Sequence, residues 1–207
     1  FKKMRQNLVK ILKNEDYFLF QNGYDFTLNL IQIAKNSNII NLTDKLKKYL
    51  DTYNFNNQFN LPIDVSKTFK KIDIKKIRSI DSKTKPIILP CKYENDKIFN
   101  IMLKKEDIRK EEIIMKIIKL MDLYLKKEAN LDLNITTYNI LPISNEYGYI
   151  EFVPNSTTLY DIREVSQFSI QNFILEKNPN MNINNFRDRY SKSCAAYCVI
   201  TYLLGIG

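Results

Sequence analysis

The apolar residues of this chain change period twice, and this limits the fold more than any single motif. Up to about residue 53 they recur at helical spacing: Met4, Leu8, Ile11 and Leu12, then Phe26, Leu28, Leu30, Ile31 and Ile33, then Leu42, Leu46 and Leu50. Breaks at Asn22-Gly23 and at 36–38 predict a helical hairpin with a short lead-in, the last helix capped at Thr43-Asp44. The polar stretch 52–60 reads as a connector. From Leu61 the texture is that of strands. Ile72, Ile74 and Ile77 recur in near-alternation, 86–93 reads as a strand, 94–96 as a turn and 98–103 as the returning strand. One long helix follows at about 107–127, where Ile114, Ile117, Ile118, Met121 and Leu125 form a single stripe. Strands are then expected at 136–143 and 147–153. After Pro154 the spacing is helical again. Ser166 or Ser169 can cap a helix to 175, Asn178-Pro179-Asn180 breaks it, and a last helix runs from about 184 to 204. From Cys194 that helix is apolar nearly all round, so it is expected to be buried on every side. The order is helical hairpin, sheet with one long helix, then helices. This is an α+β chain with divisions at 1–60, 61–153 and 154–207.

Composition narrows what such a chain can do. With 207 residues, 44% of them hydrophobic, and only 4 Gly and 6 Pro, it suits one large domain or parts of two rather than low-complexity disorder. No run approaches the length of a membrane span and no N-terminal signal pattern is present, so a soluble, intracellular chain is expected. Histidine is absent, which excludes Cys/His zinc sites and histidine-based triads within these residues. Cys91, Cys194 and Cys198 are expected to be free buried thiols in a reducing compartment. Net charge is +9, from 32 Lys and Arg against 23 Asp and Glu. That favours an anionic partner (nucleic acid, anionic lipid or nucleotide phosphate), or merely a solvated lysine surface. The basic residues are densest over 67–85, without the interleaved aromatics that single strands need, so nucleic acid is not an expected partner. The chain starts at Phe1 and stops on a glycine after Leu204, and both ends read as fragment boundaries.

Four segments could carry chemistry. Lys104 closes the apolar strand Ile101-Met102-Leu103; there it can point at a nucleotide phosphate, although an exposed strand-end lysine fits the same pattern. Glu111 shares a helix face with Ile114, Ile118 and Met121, and a carboxylate at the head of an apolar stripe needs a partner. Lys104, on the preceding strand, is the partner this order offers; a strand lysine held by a helix acid positions phosphates in kinases. Otherwise Glu111 simply favours the helix macrodipole. Ser79, Ser82 and Lys83 lie in a glycine-free polar loop, 79–85, that can fold over phosphates or be an ordinary hairpin loop. Glu151-Phe152-Val153 ends a strand before Pro154, where backbone groups can meet an adenine edge.

Taken together, these segments resemble the catalytic domain of phosphatidylinositol 3- and 4-kinases, and in type the class III phosphatidylinositol 3-kinases. The resemblance rests on Met102-Leu103-Lys104-Lys105-Glu106-Asp107-Ile108-Arg109-Lys110-Glu111, on Ile117-Ile118-Lys119-Leu120-Met121-Asp122, on Asn130-Leu131-Asp132-Leu133, on Tyr149 to Ser156 and on Ser169-Ile170-Gln171-Asn172-Phe173. It implies a kinase N-lobe at 61–153, a twisted antiparallel sheet with the long helix at its back, and the start of a C-lobe at 154–207. It implies that Lys104 contacts ATP phosphate and that Glu111, where the family has aspartate, holds Lys104. By the same resemblance, Ser79 to Lys85 is the phosphate loop, Tyr138 lies at the back of the ATP pocket, and the Glu151 carbonyl and Val153 amide, flanking Phe152, bind adenine. The cofactors implied are ATP and Mg2+, with the catalytic loop and the metal ligands beyond residue 207, so these residues alone are expected to be inactive. The implied reaction moves the ATP γ-phosphate to an inositol hydroxyl of phosphatidylinositol, at the 3-position. The expected setting is cytoplasmic and peripheral at anionic intracellular membranes, with a regulatory kinase-like subunit as a candidate partner. Alternatives are a 4-kinase or related protein kinase of the same superfamily, and a nucleotide-binding pseudokinase or scaffold.

Overall fold

Helix α1, Asn14–Lys35, runs straight through the break expected at Asn22-Gly23. Gly23 is there for packing and not for a turn. A Cβ at this position would lie 1.8 Å from the carbonyl oxygen of Asn60, so only a bare backbone lets the two segments meet. The computed structural model describes residues 14–37, 41–55, 58–93, 97–165 and 169–206. The lead-in helix expected from Met4 to Leu12, the turn at 94–96 and the Ser166 cap lie outside the described residues. Helix α2, Leu42–Thr52, begins after Asn41, so Thr43 and Asp44 fall inside its first turn instead of capping it. Its Leu42, Leu46 and Leu50 are buried, as their helical spacing requires.

The connector ends in a short antiparallel pair, β1 (Phe59–Asn60) with β2 (Thr68–Phe69). The main sheet contains β3 (Lys71–Ile72), β4 (Arg78–Ser79), β5 (Ile87–Lys92), β6 (Ile98–Lys104), β7 (Ile140–Pro142) and β8 (Gly148–Glu151). Its order is β3-β5-β6-β8-β7, every pairing antiparallel, and β4 lies beside β5 after β3. A 3-10 turn, Ile74–Lys76, separates β3 from β4. Pro90, inside β5, offers no N–H, and its carbonyl accepts from Asp73 N–H at 2.8 Å. The missing donor thus faces this gap in the ladder, where a proline costs no strand pairing.

By contact the chain divides into two units, 1–113 with 138–153, and 114–137 with 154–207. In the first, hairpin and sheet share one core. Phe26 of α1 stacks on Phe59 (4.9 Å between ring centroids), Phe59 meets Phe69 (6.0 Å) and Phe69 meets Phe99 of β6 (5.9 Å). Each such pair adds about 0.5–1.5 kcal/mol beyond the area it buries. Tyr149 of β8 is fully buried in the same core; its hydroxyl donates to Thr27 Oγ1 at 3.4 Å, and Thr27 donates to the Gly23 carbonyl at 2.8 Å. Burial, partly offset by Thr27, pushes the Tyr149 hydroxyl pKa up, and burial alone does the same for the Cys91 thiol, so both stay protonated.

The second unit holds helix α3 (Arg109–Glu128) from residue 114, α4 (Leu159–Val165), α5 (Ile170–Lys177) and α6 (Ile183–Leu204). Its core is Ile118, Ile135, Ala196 and Ile200, with Ile114, Met121, Leu125, Leu133 and Leu204 packed against it. Ile117, expected in the same stripe, is exposed. Ser169 caps α5 by accepting the Asn172 N–H. Two expectations about α6 are corrected. It is not buried on every side, since Val199, Tyr202 and Leu203 are exposed, and Cys194 and Cys198 are exposed thiols. The cause is geometric: the unit's apolar residues cover only the face that carries Ala196 and Ile200. Helix α4 was not expected, although Thr158 and Asp161 cap it reciprocally: Asp161 N–H donates to Thr158 Oγ1 (3.1 Å) and Thr158 N–H to Asp161 Oδ2 (3.3 Å).

Gly23→Ala is expected to destabilise the protein by about 3 kcal/mol, because the methyl group meets rigid backbone at Asn60. Denaturant midpoints should show the loss, whereas Gln32→Ala, at an exposed position on the same helix, should stay within about 0.5 kcal/mol of the parent.

Candidate functional site

Strand β6 alternates strictly. Phe99, Ile101 and Leu103 face the shared core, so Asn100, Met102 and Lys104 must face the other side of the sheet. On that side Met102 sits in register between Ile88 of β5 and Ile150 of β8, and Lys104 is opposite Gly148. Gly148 is again a close-approach position. A Cβ there would lie 2.2 Å from Ile108 Cδ1 and 2.9 Å from the Leu141 carbonyl oxygen. Ile108, fully buried just before α3, therefore rests on Gly148 and brings the segment after Lys104 back over the sheet.

The carboxylate beside Lys104 is not the expected one. Lys104 Nζ forms an ion pair with Glu106, and it makes none with Glu111. Glu106 lies in the bend that directly follows β6, two residues on, whereas Glu111 belongs to the first turn of α3, beyond Ile108. The Lys104 side chain is 23% exposed, enough for its ammonium to meet an outside anion. Glu111 is half-buried at the helix start, next to Glu112, where negative charge suits the macrodipole. Asp107 is exposed at the same helix start. Hydrogen bonds from the Arg109 side chain, then from its backbone N–H, hold the Asp107 carboxyl down at about 2.

The loop after β4 lies at the same end of the sheet as Lys104. Ser79 is in register with Ile87, which is in register with Leu103, a span of about 10 Å at ordinary strand spacing. Ile80 N–H donates to the Pro86 carbonyl (2.9 Å) and Lys85 N–H to that of Ser82 (3.1 Å), so the loop is closed and short. Lys85 adopts φ 41, a conformation that favours glycine. Ser79, Ser82 and Lys83 are exposed on this loop.

At the far end of β6, the backbone of 151–153 leaves the sheet. Phe152 N–H donates to the Asn100 carbonyl (2.9 Å) and Glu151 N–H to that of Asn139 (2.8 Å). The Glu151 carboxylate is also committed: its Oε2 accepts the Asn139 N–H at 2.9 Å. What Glu151 can offer a ligand is therefore backbone, not charge. Asn100 lies four residues before Lys104, about 13 Å along the strand. Tyr138 and Val153 are half-buried in the same unit. The first unit thus carries three apolar residues (Ile88, fully buried, with Met102 and Ile150 half-buried) on the sheet face that Lys104 shares, with a cationic end and an end built of backbone. Sequence reasoning missed Glu106, Asn139 and Gly148; a glycine inside a strand was the available signal for the last. Among the described residues, no helix is long and apolar enough to cross a membrane, and no group of three or more Cys, Asp or Glu is gathered closely enough to hold a metal ion.

The family model described as phosphatidylinositol 3- and 4-kinase matches residues 98–207. The chain is 35% identical over 156 residues to phosphatidylinositol 3-kinase pik3 of Schizosaccharomyces pombe, which covers 71% of this chain and 19% of that protein. It is 32% identical over 171 residues to phosphatidylinositol 3-kinase VPS34 of Candida glabrata, which covers 80% and 19%. The chain spans about a fifth of the length of these curated relatives.

The Asp107 contact gives a pH prediction. Its carboxyl is held below the ordinary aspartate value, so the stability it contributes is complete above that value and is lost as pH falls toward about 2. A carboxyl-carbon NMR titration should find the Asp107 midpoint at about 2, and Arg109→Ala should move it up toward the ordinary range.

Proposed function

This chain belongs to the phosphatidylinositol 3- and 4-kinase family, and from that premise we propose that it is the nucleotide-binding part of a phosphatidylinositol 3-kinase. The observation that carries the reading is the placement of Lys104. It stands on the outer sheet face, in register with Gly148, at the end where loop 79–85 also lies. Residues 61–153 act as the N-lobe and 154–207 begin the C-lobe.

The residues present suit ATP. Lys104 neutralises phosphate charge, and Glu106 pairs with its ammonium until a phosphate competes for it. Loop 79–85 contributes the Ser79 and Ser82 hydroxyls, backbone N–H groups and the Lys83 ammonium. The Glu151 carbonyl and the Val153 N–H pair with the adenine edge, with Phe152 between them fixed to Asn100, and Tyr138 closes the back. ATP, when bound, supplies the phosphoryl group. A kinase of this family uses a divalent metal with ATP; among the described residues no group is gathered to hold Mg2+, so no step is routed through a metal here. Positioning and charge neutralisation carry most of phosphoryl transfer. The acceptor is an inositol hydroxyl of phosphatidylinositol, at the 3-position, at the surface of an intracellular membrane on its cytoplasmic side. A regulatory kinase-like subunit completes the assembly.

In the longer protein, Lys104→Met is expected to lower kcat/KM for phosphatidylinositol phosphorylation at least about 100-fold, the scale for losing one charge-stabilising donor. Headgroup chromatography of the parent's product should show the 3-phosphate; a 4-phosphate would move the assignment to the 4-kinase branch. Retention of activity within a few-fold in Lys104→Met would remove Lys104 from the site.

A further inference from the structure

The outer edge of the main sheet, beside β5, is built from one basic segment. β3, the 3-10 turn and β4 all lie on the same side of β5, in succession along its length, and among the described residues neither strand pairs with anything beyond it. Residues 70–85 hold seven basic side chains, Lys70, Lys71, Lys75, Lys76, Arg78, Lys83 and Lys85, against the acids Asp73 and Asp81. All seven are exposed. Among the described residues only Lys76 has an acidic partner, Asp73 at 3.7 Å. Lys67, just upstream, does not belong to the set, because its ammonium sits over the Phe99 ring and pairs with Asp64. Lys83 and Lys85 belong to the loop assigned to phosphate, so the edge proper, residues 70–78, displays five basic groups against Asp73, net +4 of the chain's +9, along about 20 Å by strand rise.

We propose that this edge docks on an anionic lipid surface. The proposal rests on the lipid-kinase reading above and adds to it the face that meets the membrane. Clusters of this density are drawn to membranes containing acidic lipids, each basic group near the surface strengthening partition by about fivefold. Each charge acts only within about one Debye length, about 8 Å at physiological salt, so the edge must lie close against the headgroups for all of them to contribute. Nucleic acid fits less well, since residues 70–85 contain no aromatic side chain on which a base could stack. Edge lysines also keep sheets from pairing edge to edge. That role asks only for charge of either sign, whereas docking asks for positive charge, and the test uses this difference.

The test compares the full chain with its Lys70→Glu/Lys71→Glu/Lys75→Glu variant, which leaves every residue assigned to nucleotide binding in place. Sedimentation with vesicles of phosphatidylcholine containing about a quarter phosphatidylserine should show the variant bound more weakly by at least about a hundredfold, three lost groups at about fivefold each with the repulsion of the new carboxylates added. Parent binding should fall with added salt and be absent on pure phosphatidylcholine. Melting midpoint and affinity for a fluorescent ATP analogue, read on the same samples, should match in the two proteins. Equal vesicle binding by both proteins, parent binding to neither vesicle, or equal parent binding to neutral and acidic vesicles would overturn the docking proposal. So would a preference of the parent for an RNA oligonucleotide that the charge reversal abolishes. A parent that binds vesicles but no ATP analogue would instead sink the kinase reading and leave the docking surface standing.

Discussion

Ile108 occupies the space that a side chain at position 148 would need. With Cδ1 2.2 Å from where a Cβ would stand, no other residue fits at 148 without pushing either Ile108 or the Leu141 backbone away. This one contact connects three parts of the site. Gly148 is in register with Lys104, Leu141 belongs to β7 beside it, and Ile108 leads into α3. The turn carrying Glu106 and Asp107 is thereby held between two fixed points, Lys104 in the sheet and Ile108 upon it. The ion pair of Lys104 with Glu106 follows from the shortness of that turn.

The opposite sheet face explains why this one is available. Phe99, Ile101, Leu103 and Tyr149 are committed to the core shared with α1 and α2. The aromatic run from Phe26 to Phe99 and the Tyr149–Thr27–Gly23 hydrogen bonds fasten the hairpin there. Strand alternation then leaves Met102 and Lys104 no choice of side. A lysine one position earlier would have been directed into a dry aromatic core, at a desolvation cost of several kcal/mol.

The strands β5 and β6, the long helix and the last helix were legible because their apolar periods are long and uniform. Lys104 was legible as the end of a strand for the same reason. What failed depended on contacts between segments distant in sequence. Gly23 looked like a break because its partner, the Asn60 carbonyl, is in another element. Glu111 looked like the partner of Lys104 because a helix face can be projected from sequence, whereas the path of the turn at 105–106 cannot. The exposed side of α6 was misread because an all-round apolar pattern says nothing about how many faces find cover. Helix α4 was missed although Thr158 and Asp161 spell a capping pair, since its seven residues offer too little periodicity to weigh.

The central claim is that the outer sheet face, from loop 79–85 past Lys104 to the backbone at 151–153, receives a nucleotide. Backbone amide NMR of the chain titrated with a non-hydrolysable ATP analogue tests it most directly. The account requires saturable shifts at Val153, at Lys104 and Glu106, and across 79–85. Shifts confined to other surfaces, such as the groove between α1 and α2 at Ile33 and Tyr49, with Val153 and Lys104 unmoved, would contradict it.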